Sequence, residues 1–162
     1  MRNKFKRIYI YLIAIILVGF DQIVKVLIVN NIDKFPIEII KNLLQFNYCE
    51  NRGVAFSIGN GNVILFVILN IILITSLIIY YEKNKKEFNK FSTSCILCII
   101  AGGFSNLLDR IFRGYVIDFI DISYLFNFPV FNIADIFIVI GTFGLMFFYT
   151  YTLIKESKKI RN

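Results

Sequence analysis

The sequence predicts an all-α membrane protein: four transmembrane helices carrying a small external β-rich platform, with a second external segment between spans three and four. Three observations lead there. The chain is 57% apolar with a mean hydropathy of +0.69, more apolar surface than a single 162-residue domain can hide from water. The apolar residues gather in runs of about 20, the length that crosses a bilayer. Cations flank those runs: Arg2, Lys4, Lys6 and Arg7 precede the first, Lys83, Lys85, Lys86 and Lys90 separate the second and third, and Lys155, Lys158, Lys159 and Arg161 follow the fourth. The remaining loops hold fewer, so the positive-inside rule puts both termini in the cytoplasm and makes 1–162 one integral membrane domain.

Span one covers residues 8–29. Its basic start and the run from Ile8 to Phe20 look like a secretory signal, but no small-residue cleavage site follows, and apolar character resumes beyond Asp21 and Lys25. Those two residues stand four apart on one helix face with the acid first, the favourable order for an ion pair. Either they neutralise each other or they bind something polar. Residues 30–62 alternate in polarity between Gly and Asn punctuation, which predicts short strands and turns, the platform. Within it Asn51, Arg52 and Gly53 set an amide and a guanidinium beside a flexible backbone position. Arg52 alone also reads as a solvated loop charge.

Span two, 63–81, carries no charge until its end. Span three, 92–112, closes with A-G-G-F-S-N-L-L-D-R, where Ala101, Gly102, Gly103 and Ser105 permit close helix approach while Asn106, Asp109 and Arg110 add polar groups. Span four, 131–154, is entered through Pro129. Asp135 lies just inside it, where an ionisable group costs about 2.5–3.5 kcal/mol on insertion scales and therefore implies a function and a partner. Asp118, after a short extended apolar run, is the candidate. Two carboxylates held together share a proton, so one serves as base on a water and the other as acid toward a carbonyl, which points to peptide hydrolysis at the membrane surface. No metal or cofactor enters that chemistry.

Composition removes other classes. The chain has no His, hence neither the commonest zinc ligand nor the usual partner of a catalytic Ser or Cys. Cys95 and Cys98 are spaced C-x-x-C but inside an apolar span, which reads as packing, and Cys49 is an unassigned thiol. The cations flank spans and form no aromatic-interleaved patch, so nucleic acid is not a partner. A small proton-coupled transporter is the alternative, yet its relay should cross the membrane and these acids gather on one side. A non-catalytic membrane subunit would use the same polar groups only to pin helices.

The blocks D-Q-I-V-K (Asp21 to Lys25), E-N-R-G-V-A-F-S (Glu50 to Ser57), G-G-F-S-N-L-L-D-R (Gly102 to Arg110), V-I-D-F (Val116 to Phe119) and F-N-I-A-D (Phe131 to Asp135) resemble, in order and spacing, the bacterial lipoprotein signal peptidases, signal peptidase II. The resemblance spans nearly the whole chain. It implies an aspartic endopeptidase of the bacterial cell membrane that cuts prolipoproteins immediately before a cysteine bearing diacylglycerol. Asp118 and Asp135 match its catalytic dyad, and Asp21, Lys25, Asn51, Arg52, Asn106, Arg110 and Asn132 match positions that support or line the site. It further implies a β-cradle built from the platform, membrane lipids as surroundings and the antibiotic globomycin as inhibitor. Ser105 departs from the pattern, since many members have Gly there.

Overall fold

Each apolar run folds as a helix that outlasts its apolar stretch: α1 (Arg2–Val29), α2 (Val63–Asn84), α3 (Lys90–Arg113) and α4 (Ile133–Arg161). The computed structural model describes residues 2–53, 62–125 and 128–161. All four helices are long and apolar enough to cross a membrane. They extend past the predicted spans because hydropathy marks the residues in hydrocarbon, whereas the hydrogen-bond ladder runs on until a cap stops it. For α3 that cap is Asn89, whose side chain accepts from the Ser92 amide at 2.9 Å while the Ser92 hydroxyl accepts from the Asn89 amide at 3.0 Å, a capping box. At its other end Gly114 turns the chain with φ of 78°, a conformation that favours glycine. Pro129, read as the entry to span four, lies in the loop before α4, whose first residue is Ile133.

α3 is the central helix, packed against α1, α2 and α4. Small residues make this possible. A Cβ on Gly102 would strike the Ala134 carbonyl of α4, one on Gly141 would meet the Cys95 carbonyl at 2.5 Å, and one on Gly144 would strike the Cys95 sulfur. Cys95 is thus buried packing, as its apolar context predicts. The other three helices keep large apolar side chains outward, among them Ile16, Leu27, Ile64, Leu69, Phe143 and Phe147, the surface that lipid covers.

The platform is a three-stranded antiparallel sheet, β1 (Ile37–Ile40), β2 (Leu44–Asn51) and β3 (Val116–Asp121), in that order. Its third strand comes from the segment between α3 and α4, so the segment after α1 and the segment after α3 form one structure. The rest of the predicted platform, residues 54–61, lies outside the described residues, as does the end of the E-N-R-G-V-A-F-S block. β3 faces two ways. Ile117 and Phe119 pack with Ile28 of α1 in the core beneath the sheet, joined by Val24, Phe35 and Phe46, while Asp118 points to the opposite face.

Candidate active site

Asp118 and Asp135 meet because the chain between them is tied back to β3. The Phe119 and Ile120 amides donate to the Phe131 carbonyl at 3.0 and 2.8 Å, and the Phe131 amide donates to the Ile120 carbonyl at 3.0 Å. Residue 132 therefore stands beside residue 118, and one turn of α4 brings residue 135 to the same place. A register shift in β2 between Phe46 and Cys49, opposite Ile120 and Asp118, re-aims the strand at this point, a common position for bulges near sites.

Asn132 is the keystone. It caps α4: its side-chain oxygen accepts from the Asp135 amide at 2.9 Å, and the Asp135 carboxylate accepts from the Asn132 amide at 3.1 Å. The side-chain NH2 of Asn132 donates to Asp118 at 2.7 Å and to the Asn106 oxygen at 3.2 Å. Asp135 is thus at once a reciprocal capping residue and a site carboxylate, both oriented by the start of one helix. Asn51 donates to the other oxygen of Asp118 at 2.9 Å, and Asn106 donates to the other oxygen of Asp135 at 2.8 Å. Each carboxylate is held by neutral N–H donors alone. Burial, and then the charge of Asp135, pushes the Asp118 carboxyl up to about 7, against the opposing pull of the Asn51 and Asn132 hydrogen bonds. The pair accordingly retains a proton to neutral pH.

Beneath this pair lies a second set of charges. Lys25, fully buried, donates to Asp21 at 2.8 Å, to Asp109 at 2.7 Å and to the Asn106 oxygen at 2.9 Å, which uses all three of its N–H bonds. Since the Asn106 oxygen faces Lys25, its NH2 group must face Asp135. Asp21 reaches further and accepts from the Ala134 amide at 2.9 Å, near the positive end of α4, and from the Ser105 hydroxyl at 2.6 Å. Arg113 pairs with Asp109, and Gln22 donates to Ser105 and Asp109. Among the described residues no buried side-chain polar atom lacks a partner.

A cavity of about 480 Å³ opens over the dyad, lined by Asn51, Asn106, Arg110, Asp118 and Asp135 and walled by Phe128, Pro129, Phe131 and Val139. A second, of about 340 Å³, reaches Asp135, Asn106 and Arg110 from between α2, α3 and α4. Arg110 divides them. Its guanidinium donates to the Gly53 carbonyl at 3.1 Å and lies 5.9 Å from the centre of the Phe66 ring, so it tethers platform to bundle. No group of three or more His, Cys, Asp or Glu gathers to hold a metal among the described residues.

Of the residues singled out in the sequence, Asp21, Lys25, Asn51, Asn106, Arg110, Asp118, Asn132 and Asp135 join one network. Arg52 does not reach it. Its exposed side chain pairs with Glu50 at 3.1 Å and sits over the Tyr115 ring. Asp109, noted with Asn106 and Arg110 as a polar group at the end of span three, joins the network too. Gln22, Arg113 and Asn70 of α2 were not singled out for the site; Asn70 donates to the Gly103 carbonyl at 3.0 Å and lines the smaller cavity. Gln22 stood inside a quoted block, and Asn70 is an amide in an otherwise apolar span. Arg113 gave no signal beyond its charge.

The chain is similar to known proteins over nearly its whole length. Residues 13–151 match the family described as Signal peptidase (SPase) II. The chain is 39% identical to the lipoprotein signal peptidase of Clostridioides difficile (strain 630), covering 91% of this chain and 96% of that one, and 34% identical to the protein of the same name from Halalkalibacterium halodurans, covering 94% and 97%. Among solved structures it is similar to a bacterial membrane enzyme determined by the in meso method at 2.3 Å resolution, with a TM-score of 0.78 and 32% identity over 93% of this chain and 90% of that one.

Proposed function

The chain belongs to the signal peptidase II family, and from that premise we propose that it is an aspartic endopeptidase that removes signal peptides from prolipoproteins, cutting immediately before a diacylglyceryl-modified cysteine. The observation that carries the aspartic mechanism is the pairing of Asp118 and Asp135 through Asn132 at the floor of one cavity. With one proton between them, the ionised carboxylate takes a proton from a water as that water attacks the scissile carbonyl carbon, and the protonated one gives its proton to the carbonyl oxygen. The tetrahedral intermediate then collapses. Its C–N bond breaks, the cysteine nitrogen leaves as an amine after taking a proton from the pair, and the signal peptide leaves as a carboxylic acid. Asn51, Asn106 and Asn132 hold the two carboxylates in position throughout, while Lys25 and Asp21 hold Asn106 and the start of α4.

The enzyme resides in the bacterial cytoplasmic membrane with both termini in the cytoplasm and the sheet outside. There, substrate and dyad share a depth. Each buried methylene contributes about 0.8 kcal/mol of anchoring, so the diacylglyceryl group secures the scissile bond at the interface far better than a bare cysteine. Globomycin is expected to block the same cavity. The deciding experiment incubates the purified protein with a prolipoprotein carrying the lipidated cysteine and, in parallel, with its unlipidated form. Cleavage of the lipidated form alone is expected; equal cutting of both would reject lipid-directed specificity, and no cutting by an intact preparation would reject the peptidase.

A further inference from the structure

The free edge of the sheet bears an apolar surface that the site does not use. β1 is exposed along its whole length, with Ile37, Ile39 and Ile40 at 38, 48 and 48% exposure. In water such an edge strand would be an aggregation template, which natural sheets blunt with charge or with cover. β1 uses little charge. Its one ionisable side chain, Glu38, folds back to accept the Asn42 amide of the following turn at 2.8 Å, which leaves the isoleucines as the strand's outward chemistry.

The surface is continuous along the chain with one that lipid already covers. The last turns of α1 expose Ile23, Val26 and Leu27, and the 3-10 turn Ile32–Lys34 that follows exposes Ile32 before the chain enters β1. Lys34, which donates to Asn31 at 2.7 Å, and Lys41 bracket the strand. Long lysine stems lie along apolar surface while their ammonium groups reach outward. We propose that β1 is a membrane-dipping edge: Ile32, Ile37, Ile39 and Ile40 sit at the boundary of headgroups and acyl chains in the adjoining leaflet, with Lys34 and Lys41 at the level of the lipid phosphates. A second copy of the chain is the weaker occupant, since pairing two four-residue edges covers far less than the roughly 1,200 Å² of a stable interface. The consequence concerns height. β1 is bonded to β2 and β2 to β3, so the depth of the isoleucines fixes the depth at which β3 presents Asp118. The inference stands whether or not the dyad cuts peptides.

The chain contains no tryptophan, which makes the test direct. Ile39→Trp and Ile37→Trp each introduce the sole indole at an exposed position, and Lys86→Trp, in the exposed turn between α2 and α3, supplies a water-facing reference. The proteins are reconstituted into phosphatidylcholine vesicles with and without bromine at carbons 6 and 7 of one acyl chain. Both isoleucine variants should emit to the blue of Lys86→Trp, lose about half or more of their emission to the brominated lipid, and resist acrylamide, as residues at the acyl boundary do. Emission and acrylamide quenching equal to those of Lys86→Trp would overturn the proposal. So would protection from both quenchers that disappears on dilution with lipid, the mark of a second copy on the edge.

Discussion

Two pairs of inward-facing carboxylates lie on either side of Asn106, and the contrast between them separates structure from chemistry. Asp21 and Asp109 share the Lys25 ammonium, with Arg113 as a second cation on Asp109. Asp118 and Asp135 receive hydrogen bonds from amides only. A carboxylate bonded to a buried cation is committed to that ion pair and holds helices together. One that is buried, near another acid and held by neutral donors can gain or lose a proton while its position stays fixed. On the proposed mechanism the same residue type builds a scaffold in one place and a reactive pair in another, and Asn106, touching both, carries the geometry of the first into the second.

The comparison predicts its own largest effect at the amide-held pair. Asp118→Asn or Asp135→Asn should each lower turnover by several orders of magnitude, because residues that act as a unit lose nearly all activity when either is removed. The fold should stay intact. Cleavage of lipidated substrate at equal protein abundance checks this, and near-normal activity in either variant would dissolve the distinction. At the cation-held pair the effect should fall first on the fold. Lys25→Met leaves two buried carboxylates without their shared cation, a loss of about 3–5 kcal/mol by analogy with other broken buried pairs, read as a lower midpoint of thermal unfolding.

Acidity sharpens the contrast. With the Asp118 carboxyl pushed up to about 7, the singly protonated pair is depleted as pH rises beyond that value, so kcat/KM should fall on the alkaline side of neutrality. Stability follows the same proton. A carboxyl whose folded pKa lies above its unfolded value of 3.8 contributes stability that is complete below 3.8 and is lost as pH rises through about 7. Asp118→Asn cannot lose that proton, so its unfolding midpoint relative to the parent should climb between about pH 4 and pH 7, the interval between the two values. Asn51→Ala, which removes a hydrogen bond that favours the ionised form, should move the alkaline limb of activity to higher pH.

Much of this was legible in the sequence, and what was not has a physical reason. Four apolar runs and their flanking cations reveal the bundle because hydrocarbon imposes a length. Asp135 announced itself by its cost, and Asp118 by being an acid on a short strand near enough to share a proton. What the residues alone could not show is pairing at a distance. That Lys25 divides itself between Asp21, one turn away, and Asp109, on another helix, depends on how α1 packs on α3. The third strand of the sheet was hidden for the same reason, since β3 joins β2 across the whole of α2 and α3. Arg52 shows the reverse: adjacent to Asn51 in sequence, it lies just past the end of β2 and turns away from the site to pair with Glu50.

The smallest expected effect tests whether the scaffold pair is only a scaffold. The Ser105 hydroxyl donates to Asp21 at 2.6 Å and accepts from Gln22 at 2.9 Å, so it adds a bond to the cation-held carboxylates at a position where the resembling family often has Gly. Ser105→Gly removes that bond but leaves Asp21 with Lys25 and with the Ala134 amide. A hydrogen bond to a charged group contributes about 1.5–3 kcal/mol, an upper bound here because two strong partners remain. The unfolding midpoint should therefore drop by less than about 10 °C for a domain of this size. Cleavage of the lipidated substrate should change little in rate and not at all in pH dependence, since neither Asp118 nor Asp135 touches the serine. A pH profile displaced by Ser105→Gly would mean that the two carboxylate pairs titrate together, and the division between scaffold and reactive pair would then have to be redrawn around all four acids.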